Sequence, residues 1–375
     1  MLGVTGVKVL VTGSAGFIGR RIAALLHRTG HEVLTYDAHD HERLLDEYIQ
    51  VADFIFHFAG VNRPSDPADF SNVNIGLTEK VCDLASRAPG DPVVVLASSV
   101  QAVLENPYGI SKRQAEIAVE QFARNGGRSA VFRLPNVFGP GCRPNYNSVV
   151  ATFAYNTARG LPLDIKDPTR ELVLVYVHDA VRAIVDVIDT PPVRGQAEFR
   201  EVSPVARTTV QQLAASFNAY RDSRLSCTVP AVADDFSRKL YATFLSYLGS
   251  GDFGYELAKK TDERGTLAEF LKSPHAGEIF ISRTRPGAVR GNHYHHTKAE
   301  KFFVIEGEAM IRLRRADGTG DILEYAVNGT DFRVVDIPPD YTHSIENVGA
   351  ADLVVLFWAS EIFDPGFPDT FALPV

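Results

Sequence analysis

Three groups of residues have the types and spacing to do chemistry. The first is Thr-Gly-Ser-Ala-Gly-Phe-Ile-Gly at 12–19, between a β-branched run (7–11) and a segment of helical spacing (17–29). In that context Gly13, Ala15, Gly16, Phe17, Ile18 and Gly19 predict a turn whose backbone approaches a pyrophosphate. The helix behind it would offer free N–H groups and a positive dipole end. Asp37 ends the next strand, 18 residues after Gly19. An acid there accepts from a ribose 2′-hydroxyl and repels a 2′-phosphate, which predicts NADH over NADPH. Ala59 and Gly60 close a further strand and Asn74 opens a helix, so small residues let a loop pass beside the cofactor.

The second group is Ser98-Ser99 followed by Tyr108 and Lys112. Residues four apart share a helix face. A lysine cation beside the phenol would bring its pKa down from about 10. Tyr108 could then hand a proton to a carbonyl oxygen as hydride reaches the carbon. Ser99 would hydrogen-bond the same oxygen. It lies only nine residues before Tyr108, a short loop, which leaves Ser98 as the other choice. A lone Tyr-x-x-x-Lys is more often a surface pair; the dinucleotide turn upstream reverses those odds.

The third group is His293, His295, Glu300 and His343. Two histidines at i,i+2 on a strand share a face, and three imidazoles with one carboxylate suit zinc or another divalent transition metal such as Fe, Ni or Mn. Four of the eleven histidines (293, 295, 296 and 343) fall in these two segments.

These groups need elements to hold them. Strands at 7–11, 31–36, 53–58, 93–97 and 129–134 alternate with helices at 17–29, 74–86 and 111–124. That predicts an α/β part, a Rossmann-type doubly wound parallel sheet. Helices at 209–222 and 234–246 follow. Beyond about Gly251 the chain reads as short strands (278–282, 301–305, 308–314, 331–337, 353–358) separated by glycine and proline turns, an all-β sandwich or barrel. The division falls at 247/248, giving domains 1–247 and 248–375. Two domains also suit 375 residues at about 150 per domain.

Composition narrows the partners. With 38 basic against 46 acidic residues the net charge is −8, which argues against nucleic acid or an anionic membrane as the main partner. Cys82, Cys142 and Cys227 form no CxxC pair, so a secreted disulfide framework is not expected. The start, MLGVTGVKVLVTG, lacks a signal-peptide apolar block, and the longest apolar runs are too short to span a bilayer. The expectation is a cytoplasmic protein without membrane insertion.

Resemblance carries the reading further. On TGSAGFIG, HFAG, Asn74, ASS, YGISK, RLPNVFGPG and YVHDA, the first part resembles the extended short-chain dehydrogenase/reductase family, which mostly acts on nucleotide sugars. That implies Ser99, Tyr108 and Lys112 as its catalytic residues. In RLPNVFGPG and CRPNYNS, Arg133, Asn136, Arg143 and Asn145 are candidate contacts for a sugar or its diphosphate. From Gly287 to Gly307, and in PPDYTHSIEN, the second part resembles the cupin family of jelly-roll barrels, with Asp340 where a glycine is usual. DERGTLAEF and RGNHY further resemble the cupin-fold nucleotide-sugar epimerases, which abstract a proton next to a ketone. A metal at the histidines could polarise that ketone, and the candidate bases are Lys301, Lys298 and His296.

Taken together, NPYGISK, RPNYNS, GNHYHHTKAEKF and YTHSIEN make nearly the whole chain resemble the CapF family of bifunctional capsular polysaccharide enzymes. The resemblance implies that the cupin domain inverts carbon 3 of a UDP-4-keto-6-deoxy-N-acetylhexosamine. The reductase domain then reduces the 4-ketone with NAD(P)H to UDP-N-acetyl-6-deoxy-L-talosamine, precursor of UDP-N-acetyl-L-fucosamine. Inversion must come first, because reduction removes the ketone that acidifies carbon 3. The family implies NADPH, against the NADH read from Asp37, and a homodimer. The other readings are a nucleotide-sugar epimerase or dehydratase that retains its NAD, and a non-catalytic sugar-nucleotide sensor.

Overall fold

The computed structural model describes residues 6–375; residues 1–5, part of the start read above for a leader, lie outside them. Two compact units are present, one up to Asn218 together with Val232–Gly249, the other Ala219–Ala231 with Ser250–Val375. The short excursion 219–231 joins the second unit because the Val229 N–H donates to Lys272 O and the Lys272 N–H to Cys227 O, both at 2.7 Å.

The first unit runs β1 (Lys8–Thr12), α1 (Gly19–Arg28), β2 (Glu32–Tyr36), α2 (Glu42–Val51), β3 (Phe54–His57), α3 (Leu77–Arg87), β4 (Val93–Ser99), α4 (Pro107–Arg124), β5 (Arg128–Leu134), β6 (Asn136–Phe138), α5 (Val149–Ala158), β7 (Glu171–Tyr176), α6 (Val177–Val185), β8 (Ala197–Arg200), β9 (Val205–Thr209), α7 (Val210–Ser226, shared with the second unit) and α8 (Asp235–Leu245). Six strands form one parallel sheet in the order β2-β1-β3-β4-β5-β8. Alternation decides which side each residue serves. Val9, Val11, Phe54, Phe56, Val93 and Val95 face α1 and α6. Leu10, Ile55, Val94 and Leu96 face α2, α3 and α4. Burial on both faces is why these strands read as unbroken apolar runs. The strand order reverses between β1 and β3, and a doubly wound sheet opens its ligand crevice at the strand ends there.

Two local features set the crevice. Gly13 has φ +69°, and a Cβ on Gly19 would stand 2.2 Å from the Gly13 carbonyl oxygen. Only hydrogen at Gly19 allows α1 to start this close to the turn. Farther along, α4 begins at Pro107 rather than at 111 as the apolar spacing predicted. The Asn106 side chain accepts from the Gly109 N–H at 2.8 Å, and Pro107 loses no helical hydrogen bond at the first position. Tyr108 therefore sits in the first helical turn.

The second unit contains β10 (Lys259–Asp262), β11 (Gly265–Ser273), β12 (Gly277–Thr284), β13 (Val289–Tyr294), β14 (Glu300–Glu306), β15 (Glu308–Arg315), β16 (Leu323–Asn328), β17 (Val334–Ile337), β18 (Tyr341–Asn347), β19 (Leu353–Ala359) and β20 (Phe371–Ala372). They form two antiparallel sheets, β10-β11-β12-β19-β14-β17 and β16-β15-β18-β13-β20. Phe302, Val304, Val335, Val355 and Phe357 from one meet Ile311, Leu313, Val327 and Ile345 from the other. The strand expected at 331–337 is shorter, and β18, which carries His343, is not among the expected strands although its segment carries the second cupin motif. No helix among the described residues is long and apolar enough to cross a membrane.

Gly19→Ala forces a methyl against backbone that cannot move aside. It should lower stability by about 1–3 kcal/mol, read as a fall in the urea midpoint with an unchanged slope.

Candidate functional site

In the first unit the turn after β1 and the loop after β3 come together. A Cβ on Gly13 would lie 2.6 Å from the Ala59 N. His57 ends β3 fully buried, its ring between the Thr12 hydroxyl (2.7 Å) and the Thr78 hydroxyl (3.0 Å), and burial pushes its pKa down to about 3. It is therefore a neutral brace. Asn74 bonds Val61 through both N–H and C=O at 2.8 Å and donates to the Ser111 hydroxyl at 2.9 Å, so its amide ties this loop to α4. Gly60 packs close against both Asn74 and Lys112, since a Cβ there would be 3.0 Å from the Asn74 Oδ1 and 3.3 Å from the Lys112 Nζ. Asp37 accepts from the Ser14 hydroxyl and from the Ala15 N–H at 3.0 Å. The acid thus already closes onto the glycine turn.

At the ends of β4 and α4, Ser99 hydrogen-bonds the Tyr108 hydroxyl. Ser98 turns the other way and donates to Glu116 at 2.6 Å. Strand alternation puts Ser99, and not Ser98, beside Tyr108. Lys112 is buried and donates to the Ala97 carbonyl at 2.9 Å; burial lowers it to about 8, against the pull of Glu116. The Tyr108 pKa is raised, not lowered as expected from Lys112. Burial raises the Tyr108 pKa and the Ser99 hydrogen bond opposes it. Glu116 was not singled out from sequence. Burial alone would raise it, but Arg133, Ser98 and Arg113 outweigh that and hold it low. Arg133 grips it with Nε at 2.9 Å and a second nitrogen at 2.7 Å. Arg133, read as a candidate diphosphate contact, is committed to this buried carboxylate instead.

The other candidate sugar contacts are spread out. Arg143 lies over the Tyr146 ring at 5.0 Å, and Tyr146 is near enough to Tyr108 to raise its pKa further. Asn145 has φ +53° and its N–H donates to the Thr152 hydroxyl at 3.0 Å. Asn136 stands on β6 with its amide 3.5 Å from the Val173 carbonyl.

In the second unit the four expected ligands converge. One donor atom from each of His293, His295, Glu300 and His343 lies within 4.8 Å of every other. Glu300 Oε2 is 3.3 Å from His295 Nε2 and 3.1 Å from His343 Nε2. All three atoms are buried and none makes a properly angled hydrogen bond. Buried polar atoms aimed at one point without satisfying one another are what a metal ion completes. The far side of the His295 ring contacts the Asp369 carbonyl at 2.5 Å, which turns its Nε2 inward. Burial, then His343, lowers His293 to about 4, so its imidazole is neutral and able to ligate. Burial would raise the Glu300 carboxyl, but the two imidazoles beside it hold it well below the usual range. The donor set fits a divalent transition metal.

The cluster opens into a cavity of about 340 Å³ whose lining includes Glu278, Phe280, Arg290, Lys298, Phe302 and Phe363. Lys301 is a correction. Glu300 and Phe302 on β14 point inward, so Lys301 between them points out, onto Asp336 and over Trp358. It cannot reach the cavity as a base. His296 is exposed beside Asp340, 3.3 Å away. Of the three expected bases only Lys298 lines the cavity, with its Nζ donating to Pro368 O (3.1 Å) and the Thr370 hydroxyl (3.2 Å).

Both parts of the chain match known families. Residues 9–198 match the NAD dependent epimerase/dehydratase family and residues 260–371 the polysaccharide biosynthesis C-terminal domain. The chain is 42% identical over 371 residues (98% of it, 99% of the relative) to a Pseudomonas aeruginosa UDP-2-acetamido-2,6-beta-L-arabino-hexul-4-ose reductase. The crystal structure of the capsular polysaccharide assembling protein CapF from Staphylococcus aureus superposes with TM-score 0.88 at 40% identity, covering 98% of this chain and all of that one. A Bacillus cereus UDP-glucuronic acid 4-epimerase structure with NAD shares the fold alone, at 17% identity and TM-score 0.55 over 64% of this chain and 98% of that one.

The Lys112 ammonium has a measurable cost. An unfolded chain keeps its proton up to an ordinary value of 10.5, whereas the folded chain releases it at about 8. Between those values stability rises with pH. Lys112→Met should stabilise the unliganded protein by about 1–3 kcal/mol at pH 7, a gain that shrinks from pH 8 to 10 in thermal melts.

Proposed function

This chain belongs to the NAD dependent epimerase/dehydratase family, in the group that carries a polysaccharide biosynthesis C-terminal domain, and from that membership we propose that it is a bifunctional nucleotide-sugar enzyme. The cupin-type second unit inverts carbon 3 of a UDP-4-keto-6-deoxy-N-acetylhexosamine. The first unit reduces the 4-ketone to UDP-N-acetyl-6-deoxy-L-talosamine. The observation that carries two chemistries in one chain is the converging His/Glu cluster of the second unit, whose inward atoms on His295, Glu300 and His343 have no hydrogen-bond partner. A reductase alone has no use for it.

In the first unit the bound nicotinamide cofactor supplies hydride. Tyr108 protonates the oxygen at carbon 4 while the Ser99 hydroxyl donates to the same oxygen. Lys112, fixed by the Ala97 carbonyl and closely approached by Gly60, places a cation near the reacting groups. The 13–19 turn receives the pyrophosphate. Arg143 and Asn145, on the loop that brings Tyr146 toward Tyr108, serve the substrate's polar groups, with Asn136 contributing from β6. In the second unit His293, His295, Glu300 and His343 would hold zinc or another divalent transition metal, which supplies Lewis acidity to a carbonyl.

Tyr108→Phe should cut reduction by about 100-fold or more yet leave solvent deuterium exchange at carbon 3. His293→Ala should lose metal and exchange together. Both are read by product NMR and elemental analysis. Wild-type protein that shows neither reduction nor exchange would return the chain to a sensor, and turnover without net use of NAD(P)H would return it to an NAD-retaining epimerase. Steady-state rates with each cofactor test Asp37. An acid closed onto the glycine turn should favour NADH, and a strong NADPH preference would sink that assignment.

A further inference from the structure

The cavity of the second unit holds a second buried carboxylate that no ligand role uses. Register places it. Across β12, β19 and β14, Glu278 pairs with Ala359 and Ala359 with Glu300. Directly paired residues of an antiparallel ladder project from the same face. The two carboxylates therefore stand in one row with only an alanine methyl between them. Strands about 4.8 Å apart put their backbones about 10 Å apart, the breadth of a sugar ring plus two short side chains. The row beside it is Phe280, Phe357 and Phe302, with ring centroids 4.8 and 4.7 Å apart in succession, an apolar floor.

Glu300 belongs to the histidine cluster. Glu278 does not. It is 6% exposed, and its Oε2 has no hydrogen-bond partner. The carboxyl takes one backbone N–H, from Phe363. The nearby lysines are spent elsewhere, since Lys260 (2.5 Å) and Lys272 both pair with Glu269. Leaving a buried carboxylate oxygen unpaired is costly, and such groups in native proteins call for a ligand or a catalytic use. Lys298, the other candidate lining the cavity, has its Nζ held by two acceptors, the Pro368 carbonyl and the Thr370 hydroxyl.

We propose that Glu278 is the base that removes the carbon-bound proton in the second unit. The assignment rests on the epimerase reading above. The bond between carbon 3 and its hydrogen breaks, and the proton bonds to Glu278 Oε2. The released electron pair forms the double bond between carbons 3 and 4, and the carbonyl pair moves onto oxygen. Inversion is completed when a proton from water bonds carbon 3 on the opposite face and the carbonyl re-forms. Glu278 then returns its proton to solvent, so nothing is consumed.

The test uses the full chain with its metal and the UDP-4-keto sugar in deuterated water, followed by NMR at carbon 3. Glu278→Gln should slow exchange by about 100-fold or more while keeping one metal per chain. Glu278→Asp, with its carboxylate withdrawn by one methylene, should keep a measurable part of it. Exchange within a few-fold of wild type in Glu278→Gln would overturn the assignment and leave the epimerase reading standing. Loss of metal together with exchange would also overturn it, making Glu278 structural. Wild-type protein that exchanges nothing would overturn both.

Discussion

A carboxylate withdrawn from water must be met by cations or donors, and how each buried carboxylate is met organises this molecule. Glu116 is fully met. Ser98, Arg113 and Arg133 surround it, tying the ends of β4 and β5 to α4. That network turns Ser98 away and leaves Ser99 beside Tyr108. Glu300 and Glu278 are not fully met by protein, and each keeps a buried oxygen without a hydrogen bond. The satisfied carboxylate builds a scaffold; the unsatisfied ones make a cavity with work to do.

The same logic separates bracing from chemistry in the first unit. His57 and Asn74 are polar, buried and close to the crevice, yet their polar atoms are engaged by Thr12, Thr78, Val61 and Ser111. They hold the loop after β3. Lys112 has one backbone acceptor, the Ala97 carbonyl, and Gly60 lies close against its ammonium. Its lowered pKa comes from burial, which Glu116 only partly offsets.

Much of this could be read along the chain. The glycine turn, the Tyr-x-x-x-Lys pair and the His-x-His…Glu…His spacing are local patterns, and local patterns survive in one dimension. The alternating apolar runs of β1, β3 and β4 declared a sheet buried on both faces. Less legible were α2, whose stripe buries only Leu45 and Ile49, and the start of α4, where an Asn-Pro cap outweighed apolar spacing. Glu116 and Glu278 carried no motif at all. A glutamate in a helix or strand reads as solvated until its neighbours are known.

The sequence by itself determined the two fold classes and pointed to the candidate metal-ligand cluster and the candidate Ser/Tyr/Lys group, because each depends on residue type at short spacing. Tertiary structure alone decided which serine faces Tyr108, that Arg133 serves Glu116, that Lys301 points out of the cavity and that Glu278 points in. Those outcomes depend on strand alternation and on register between strands far apart in sequence, as when Ala359 lies between Glu278 and Glu300. A one-residue slip would reverse every one of those faces, and nothing in the spacing of the residues themselves sets it.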